Sequence, residues 1–144
     1  EENEMSMVHD NMILSFNVDF EAETLTLFTE YHSDRLHEKT AIIFAGYLTH
    51  IFEHQQKNTI ILDIEEESSE YFIESNKRIL EKSVNYGYPI AYQTKNPMNE
   101  LGHYLVDQDY KTFLLSSSYG TGGWIVAKKM TVDVSTLRDE RCGI

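Results

Sequence analysis

The feature that most constrains the fold of this chain is the stretch from Asn58 to Tyr86, where the spacing of apolar residues changes once. It opens with Thr59 to Ile64, a short run rich in β-branched residues, and such a run predicts a strand. Because the run is apolar on both faces until Asp63, we expect this strand to lie inside a sheet. An acidic elbow follows at Glu65, Glu66 and Glu67.

After the elbow, the apolar residues recur at helical spacing. They form one stripe, made of Phe72, Ile73, Ile79, Leu80 and Val84. Ser68 or Ser69 can cap the first turn, and the preceding glutamates suit the positive end of a helix dipole. Gly87 can take the left-handed conformation that ends a helix. The stretch therefore predicts a strand, an acidic elbow and a helix that ends near Val84.

Hairpins are predicted on both sides of this stretch. Residues 12–20 and 24–31 alternate between apolar and polar and are joined by a tight connection at 21–23, a charged loop spans 33–39, and 40–44 forms a third strand. Asn96 and Pro97 begin a second helix that ends near Asp109. Strands at 111–118 and 123–134 are joined by a glycine-containing turn at 119–122. Residues 1–11 and 136–144 are expected to be loose tails.

The segment from Ala45 to Gln56 is ambiguous between helix and strand. A set of apolar residues sits at helical spacing, namely Phe44, Tyr47, Leu48, Ile51 and Phe52. We predict a short helix or turn here. The whole chain then predicts one α+β domain, with a mainly antiparallel sheet of five to six strands and two to three helices packed on one face.

Composition narrows the classes of partner. The net charge is -12, from 24 acidic and 12 basic residues, so the surface repels a phosphate backbone and attracts a basic protein. The single cysteine, Cys142, excludes an internal disulfide and fits a reducing compartment. No apolar run approaches the roughly 18 residues of a membrane span, and no signal peptide is visible. We expect a cytoplasmic protein that binds neither nucleic acid nor membrane.

One short motif could carry chemistry. His50-Ile51-Phe52-Glu53-His54 matches H-x-x-E-H and resembles the zinc site of inverzincin peptidases. The resemblance implies that His50 and His54 bind zinc from a helix, that Glu53 is the general base, and that a downstream glutamate such as Glu70, Glu74 or Glu81 completes the site.

If the segment is a strand instead, the two histidines lie about 13 Å apart, too far to share one metal. On the helical interpretation, His50 and Glu53 lie opposite the apolar stripe, as on a solvated face. We expect no cofactor, with zinc as the alternative.

Several phrases of the chain also resemble small uncharacterised cytoplasmic proteins of Gram-positive bacteria. The phrases are Ile42-Ile43-Phe44, His50 to Glu53, Ile61 to Glu66, Ser116 to Gly120 and Gly123 to Lys128. Some proteins of that group resemble immunity proteins that neutralise secreted toxins. The resemblance implies a single α+β domain without known chemistry.

These observations favour a non-enzymatic, acidic protein-binding domain, of which an immunity-type inhibitor of a basic toxin is one form. The expected contacts are Glu65, Glu66 and Glu67 in the elbow, and Tyr119 and Trp124 around the last hairpin. Two alternatives stay open. One is a zinc-dependent hydrolase that uses His50, Glu53 and His54, and the other is a small-ligand module with a pocket between sheet and helices. The sequence leaves the oligomeric state open.

Overall fold

The structure is a computed structural model that describes residues 10–32, 36–91, 96–118 and 120–138. These residues form eight strands and three α-helices. The strands are β1 (Met12–Asp19), β2 (Thr24–His32), β3 (Leu36–Ala45), β4 (Thr49–Glu53), β5 (Ile61–Glu67), β6 (Lys111–Ser117), β7 (Gly122–Ala127) and β8 (Lys129–Arg138). The helices are α1 (Ser69–Ser75), α2 (Lys77–Lys82) and α3 (Pro97–Asp107).

The strands are divided between two antiparallel sheets. The first sheet has the order β1-β2-β3-β8, and the second has the order β4-β7-β6-β5. The predicted α+β class is confirmed, and so are the hairpins β1–β2 and β6–β7. The single strand predicted for residues 123–134 is wrong, because it divides at Lys128 into β7 and β8, which belong to different sheets. The structure goes beyond the prediction in the number of strands, since eight strands in two sheets replace the expected single sheet of five to six.

One bent ladder connects the two sheets. β3 pairs with β8 up to Ala45 and Lys129, and β4 pairs with β7 from Thr49 and Val126 onward. At the bend, the Lys128 amide donates to the Ala45 carbonyl at 2.9 Å. Gly46 lies there with φ +69°, where a Cβ would be 2.8 Å from the Cβ of Lys128. A side chain at position 46 would therefore push apart the two segments of the ladder that meet at Gly46 and Lys128.

The short helix or turn predicted for residues 45–56 is wrong, and the ambiguity of this segment is resolved in favour of a strand, because it contains the bend and β4. The apolar residues that suggested a helical stripe are divided between the two sides of the second sheet. Phe44 and Phe52 pack between the sheets, whereas Leu48 and Ile51 pack under the helices. The spacing that resembles a helix thus arises from a strand that crosses from one core to another.

Two cores lie on opposite faces of the second sheet. The core between the sheets contains Leu25, Leu27, Ile42, Phe44, Ile61, Ile64, Phe113, Leu115, Ile125 and Ala127. The core between the second sheet and the helices contains Phe72, Leu80, Leu101, Leu105, Trp124 and Val126. Successive residues of β7 alternate between the two cores, as the pleat of a strand requires. The second sheet is therefore the middle layer, with the helices on its far face.

The helix starts follow local signals. Ser68 Oγ accepts from the Tyr71 amide at 3.1 Å, and Asn96 Oδ1 accepts from the Asn99 amide at 3.3 Å. Both predicted caps are confirmed. Gly87 ends the helical region in the left-handed conformation at φ 70°. The helical region is interrupted at Asn76, whose side chain is buried and donates to the Phe72 carbonyl at 2.8 Å.

The central strand differs from its prediction in two ways. β5 is an edge strand, not an interior one, and it continues to Glu67, so the three glutamates belong to the strand. A register shift between Ile61 and Asp63 leaves the Leu62 side chain 46% exposed. The apolar run suggested burial on both faces because the sequence does not show this bulge. The loop predicted for residues 33–39 is also wrong in its second half, since β3 begins at Leu36.

The tails are partly incorporated into the sheets. Asn11 is 1% exposed, and its side chain donates to Thr29 Oγ1 at 3.0 Å. The Ile61 amide donates to the Asn11 carbonyl at 2.9 Å, so the chain is fixed from this point. At the other end, β8 runs to Arg138. The loose tails predicted for residues 10–11 and 136–138 are therefore wrong, whereas residues 1–9 and 139–144, with Cys142, lie outside the described residues.

No helix in the described ranges is both long and apolar enough to cross a membrane.

Candidate functional site

Of the residues predicted to contact a partner, those that the structure describes do not form one surface. Trp124 is only 6% exposed and packs edge-on against the rings of Tyr71 and Phe72, at 5.6 and 5.4 Å. It lies on β7, which β6 separates from β5 and the glutamates. Because α1 covers it, Trp124 offers little surface to a protein partner, and its assignment as a contact stays a prediction. Tyr119 lies outside the described residues.

Glu65 and Glu66 are exposed on the edge strand β5, and Glu67 is half-buried. A side-chain hydrogen bond with Asp63 and the negative charge of Asp63 raise the pKa of the Glu65 carboxyl. Asp63, Glu65 and Glu67 alternate along the strand and share one face, whereas Ile64 points into the core between the sheets. Charged side chains on an edge strand also discourage pairing with another chain.

The H-x-x-E-H motif lies at the end of β4, so its histidines are not presented by a helix. His54 has φ 55°, which turns the chain as the strand ends, and its side chain lines a cleft beside the helices. His50 instead faces the first sheet, where its ring is 5.8 Å from that of Phe16. The structure therefore does not bring the two imidazoles together as the zinc motif requires.

No group of three or more His, Cys, Asp and Glu side chains within the described ranges is arranged to hold a metal ion.

His50 belongs to a cluster of rings between the two sheets. Its Nδ1 lies 2.8 Å from the hydroxyl of Tyr47, and its ring centroid is 4.8 Å from that of Phe52. Burial lowers the pKa of His50, so the neutral ring is favoured. Burial, with a smaller contribution from Tyr88, raises the pKa of Tyr47 to about 12. A neutral His50 can accept from the Tyr47 hydroxyl, which stays protonated.

Beside this cluster lies an aromatic surface that we call the turn surface, defined by Phe16, Phe20, Tyr47 and Phe52. Phe20 sits on the turn between β1 and β2 and is 78% exposed, with its ring 6.2 Å from that of Tyr47. Phe16 packs edge-on against Phe52 at 5.2 Å.

Three exposed carboxylates border the turn surface, from Asp19, Glu21 and Glu23. Asp19 Oδ1 accepts from the backbone amides of Glu21 and Ala22, both at 3.0 Å, which holds the turn in shape. This surface was not predicted from the sequence. Its signal is a phenylalanine directly before the short acidic connection, where a hairpin turn exposes its side chain.

A cleft of about 510 Å³ opens on the opposite side of the second sheet, between β4 and β7 and the helices α1 and α2. We call it the helix–sheet cleft. Its apolar lining comes from Ile51, Ile79, Leu114 and Trp124, and its polar side-chain lining comes from Glu53, His54, Ser75, Asn76, Arg78 and Ser117. Three glycines, Gly120, Gly122 and Gly123, complete the wall formed by the last hairpin. A pocket between sheet and helices is one of the alternatives that the sequence leaves open, but its lining residues were not predicted.

Comparisons with known protein families, with curated proteins and with solved structures found no match to this chain. The similarity to small Gram-positive proteins therefore stays a prediction.

Proposed function

We propose that this chain is a non-enzymatic binding domain for a basic protein, with the turn surface as its contact. An immunity-type inhibitor of a basic toxin is the form of this function that the sequence resemblance favours. The observation that carries the proposal is the 78% exposure of Phe20 within a group of packed rings and carboxylates.

The aromatic part of the turn surface has the character of a binding hot spot. Large rings contribute much of the energy at protein interfaces, and they contribute most where neighbouring groups exclude water. Phe20 is supported by Tyr47, and Phe16 is supported by Phe52, so a partner meets rings that are already packed. Such preorganisation reduces the entropy that binding has to overcome.

The charges around the rings select a basic partner. Asp19, Glu21 and Glu23 are exposed at the turn, and the whole chain carries a net charge of -12. This field accelerates encounter with a positively charged surface. An arginine side chain can stack on an exposed ring while its guanidinium pairs with a carboxylate. The exposed carboxylates of Glu65 and Glu66 add to the same field from another edge of the molecule.

The test is a pull-down from a lysate of the protein's own source, with Phe20→Ala and a matched control. Phe28→Ala is that control, because Phe28 is also exposed but pairs with Ser15 on the outer face of the first sheet. We expect a basic protein to be retained at about 0.05 M salt and released at about 0.5 M salt. Loss of a hot-spot ring weakens binding by roughly thirtyfold, so Phe20→Ala should not retain the protein and Phe28→Ala should.

Circular dichroism confirms that both variants are folded. Absence of any salt-sensitive partner contradicts the proposal, and so does a partner that Phe20→Ala retains as well as the unchanged chain does.

A further inference from the structure

We propose that the helix–sheet cleft binds a small zwitterion with an apolar group, in the manner of an amino acid with a large side chain. This inference does not rest on the proposed protein-binding function, because the cleft and the turn surface lie on different faces of the second sheet. It depends on three properties of the cleft: two opposite charges, an apolar lining and a fitting size.

The two charges come from different elements. Arg78 belongs to α2, and Glu53 ends β4, yet both line the same cavity. Neither side chain forms a salt bridge with any residue that the structure describes. A guanidinium is suited to bind a carboxylate in a bidentate manner, and a carboxylate is suited to accept from an ammonium group. The cleft therefore offers one site for each end of a zwitterion.

The apolar lining belongs to the same cleft as these groups, and its largest side chain is held in place by packing. Trp124 is clamped by the edge contacts of Tyr71 and Phe72, and Ile51 pairs directly with Trp124 across β4 and β7. An apolar group of the ligand would be removed from water against these side chains. The volume of about 510 Å³ falls within the range of roughly 300–1,000 Å³ that is typical of small-molecule sites.

The charge of the whole chain and the charges of the cleft together argue against ligands of a single sign. A purely anionic ligand would enter against a net charge of -12 and would meet Glu53. A purely cationic ligand would meet Arg78. A zwitterion is neutral at long range and satisfies both groups at short range, so it is the class that fits both observations.

Trp124 is the only tryptophan of the chain, so its fluorescence reports on the cleft directly. The probes are phenylalanine, leucine and methionine, each compared with its amide, which keeps only the cation, and its N-acetyl form, which keeps only the anion. Excitation at the red edge of the tryptophan band avoids absorption by phenylalanine. We expect saturable changes with the free amino acids, at least about tenfold tighter than with either single-charge form. Titration calorimetry detects binding that leaves the fluorescence unchanged.

Two variants test which side chain binds which charged group of the ligand. Arg78→Gln should remove the preference for the free amino acid over its amide, and Glu53→Gln should remove the preference over the N-acetyl form. Lys77→Gln is the matched control, because Lys77 is exposed on the same helix and does not line the cleft. The proposal is overturned if no free amino acid binds by either method, if the single-charge forms bind equally well, or if both cleft variants keep the preferences of the unchanged chain.

Discussion

Gly123 lies so close to the carbonyl oxygen of Ile51 that β4 and β7 leave no room for a side chain at position 123. A Cβ there would overlap that oxygen, and the φ of +144° is one that residues other than glycine rarely adopt. The approach closes the strand wall of the helix–sheet cleft beside Trp124.

Gly123→Ala should lower the free energy of unfolding by more than about 3 kcal/mol, because it adds backbone strain to a steric overlap. Urea denaturation measures the change. Gly102→Ala is the matched control, since a Cβ there would lie 3.5 Å from Ile73 Cδ1, an ordinary contact, and alanine favours the interior of α3. The control should raise the stability by about 0.5–1 kcal/mol. A Gly123→Ala variant within about 1 kcal/mol of the unchanged chain would contradict this account.

Asn11→Ala should destabilise the fold by about 1–2 kcal/mol, because it removes a buried hydrogen bond to Thr29. Thr29 Oγ1 in turn donates to the Thr40 carbonyl at 3.2 Å, so the loss reaches the middle of the first sheet. The control is Asn17→Ala, an exposed asparagine on β1, the strand that follows Asn11, for which a change within about 0.5 kcal/mol is expected. Thermal unfolding of both variants is the measurement, and equal shifts would show that the N-terminal segment is not fixed as described.

Stability should fall with acidification partly through His50. Burial lowers its pKa in the folded chain below the ordinary value of 6.5, so the unfolded chain takes up the proton first. Stability is therefore highest above about pH 6.5 and decreases as the pH falls below that value. His50→Gln removes this titration, and its unfolding free energy should decrease less than that of the unchanged chain between about pH 7.5 and pH 5.

The control for this pH dependence is His103→Gln, because His103 is exposed on α3. Its stability should follow the pH as that of the unchanged chain does. Parallel curves for His50→Gln and the unchanged chain would show that His50 does not contribute.

Ser68→Ala should cost about 1 kcal/mol of stability, because Ser68 Oγ accepts from the Tyr71 amide at the start of α1. Ser69→Ala changes the neighbouring serine, which does not supply the cap, and should stay within about 0.5 kcal/mol of the unchanged chain. Chemical denaturation distinguishes the two. A larger loss of stability for Ser69→Ala than for Ser68→Ala would show that Ser68 does not supply the cap.

The predictions that the structure confirms depend on signals that act over a few residues. The caps at Ser68 and Asn96, the left-handed stop at Gly87 and the two hairpins all belong to this kind. The helix predicted for residues 45–56 failed because Leu48 and Phe52 pack in different cores. A periodicity computed along one chain does not distinguish a helix face from a strand that bends between two sheets.

None of the proposed binding residues could be grouped from the sequence. Arg78 and Glu53 line the same cleft only because α2 packs over the second sheet, and Trp124 is largely buried only because α1 covers β7. The sequence pattern predicts that Phe20 belongs to a half-buried strand. In the structure Phe20 lies in the turn that directly precedes β2, and its side chain is therefore exposed.

The sequence by itself determined the α+β class, the acidic charge, the caps at Ser68 and Asn96, the stop at Gly87 and the hairpins β1–β2 and β6–β7, because each of these depends on composition or on neighbouring residues. The tertiary structure alone decided that the strands divide into two sheets, that β5 lies at an edge and that the H-x-x-E-H motif is split between two faces. Those outcomes depend on which distant segments bury one another's apolar side chains, and the free energy of that burial comes from the whole chain.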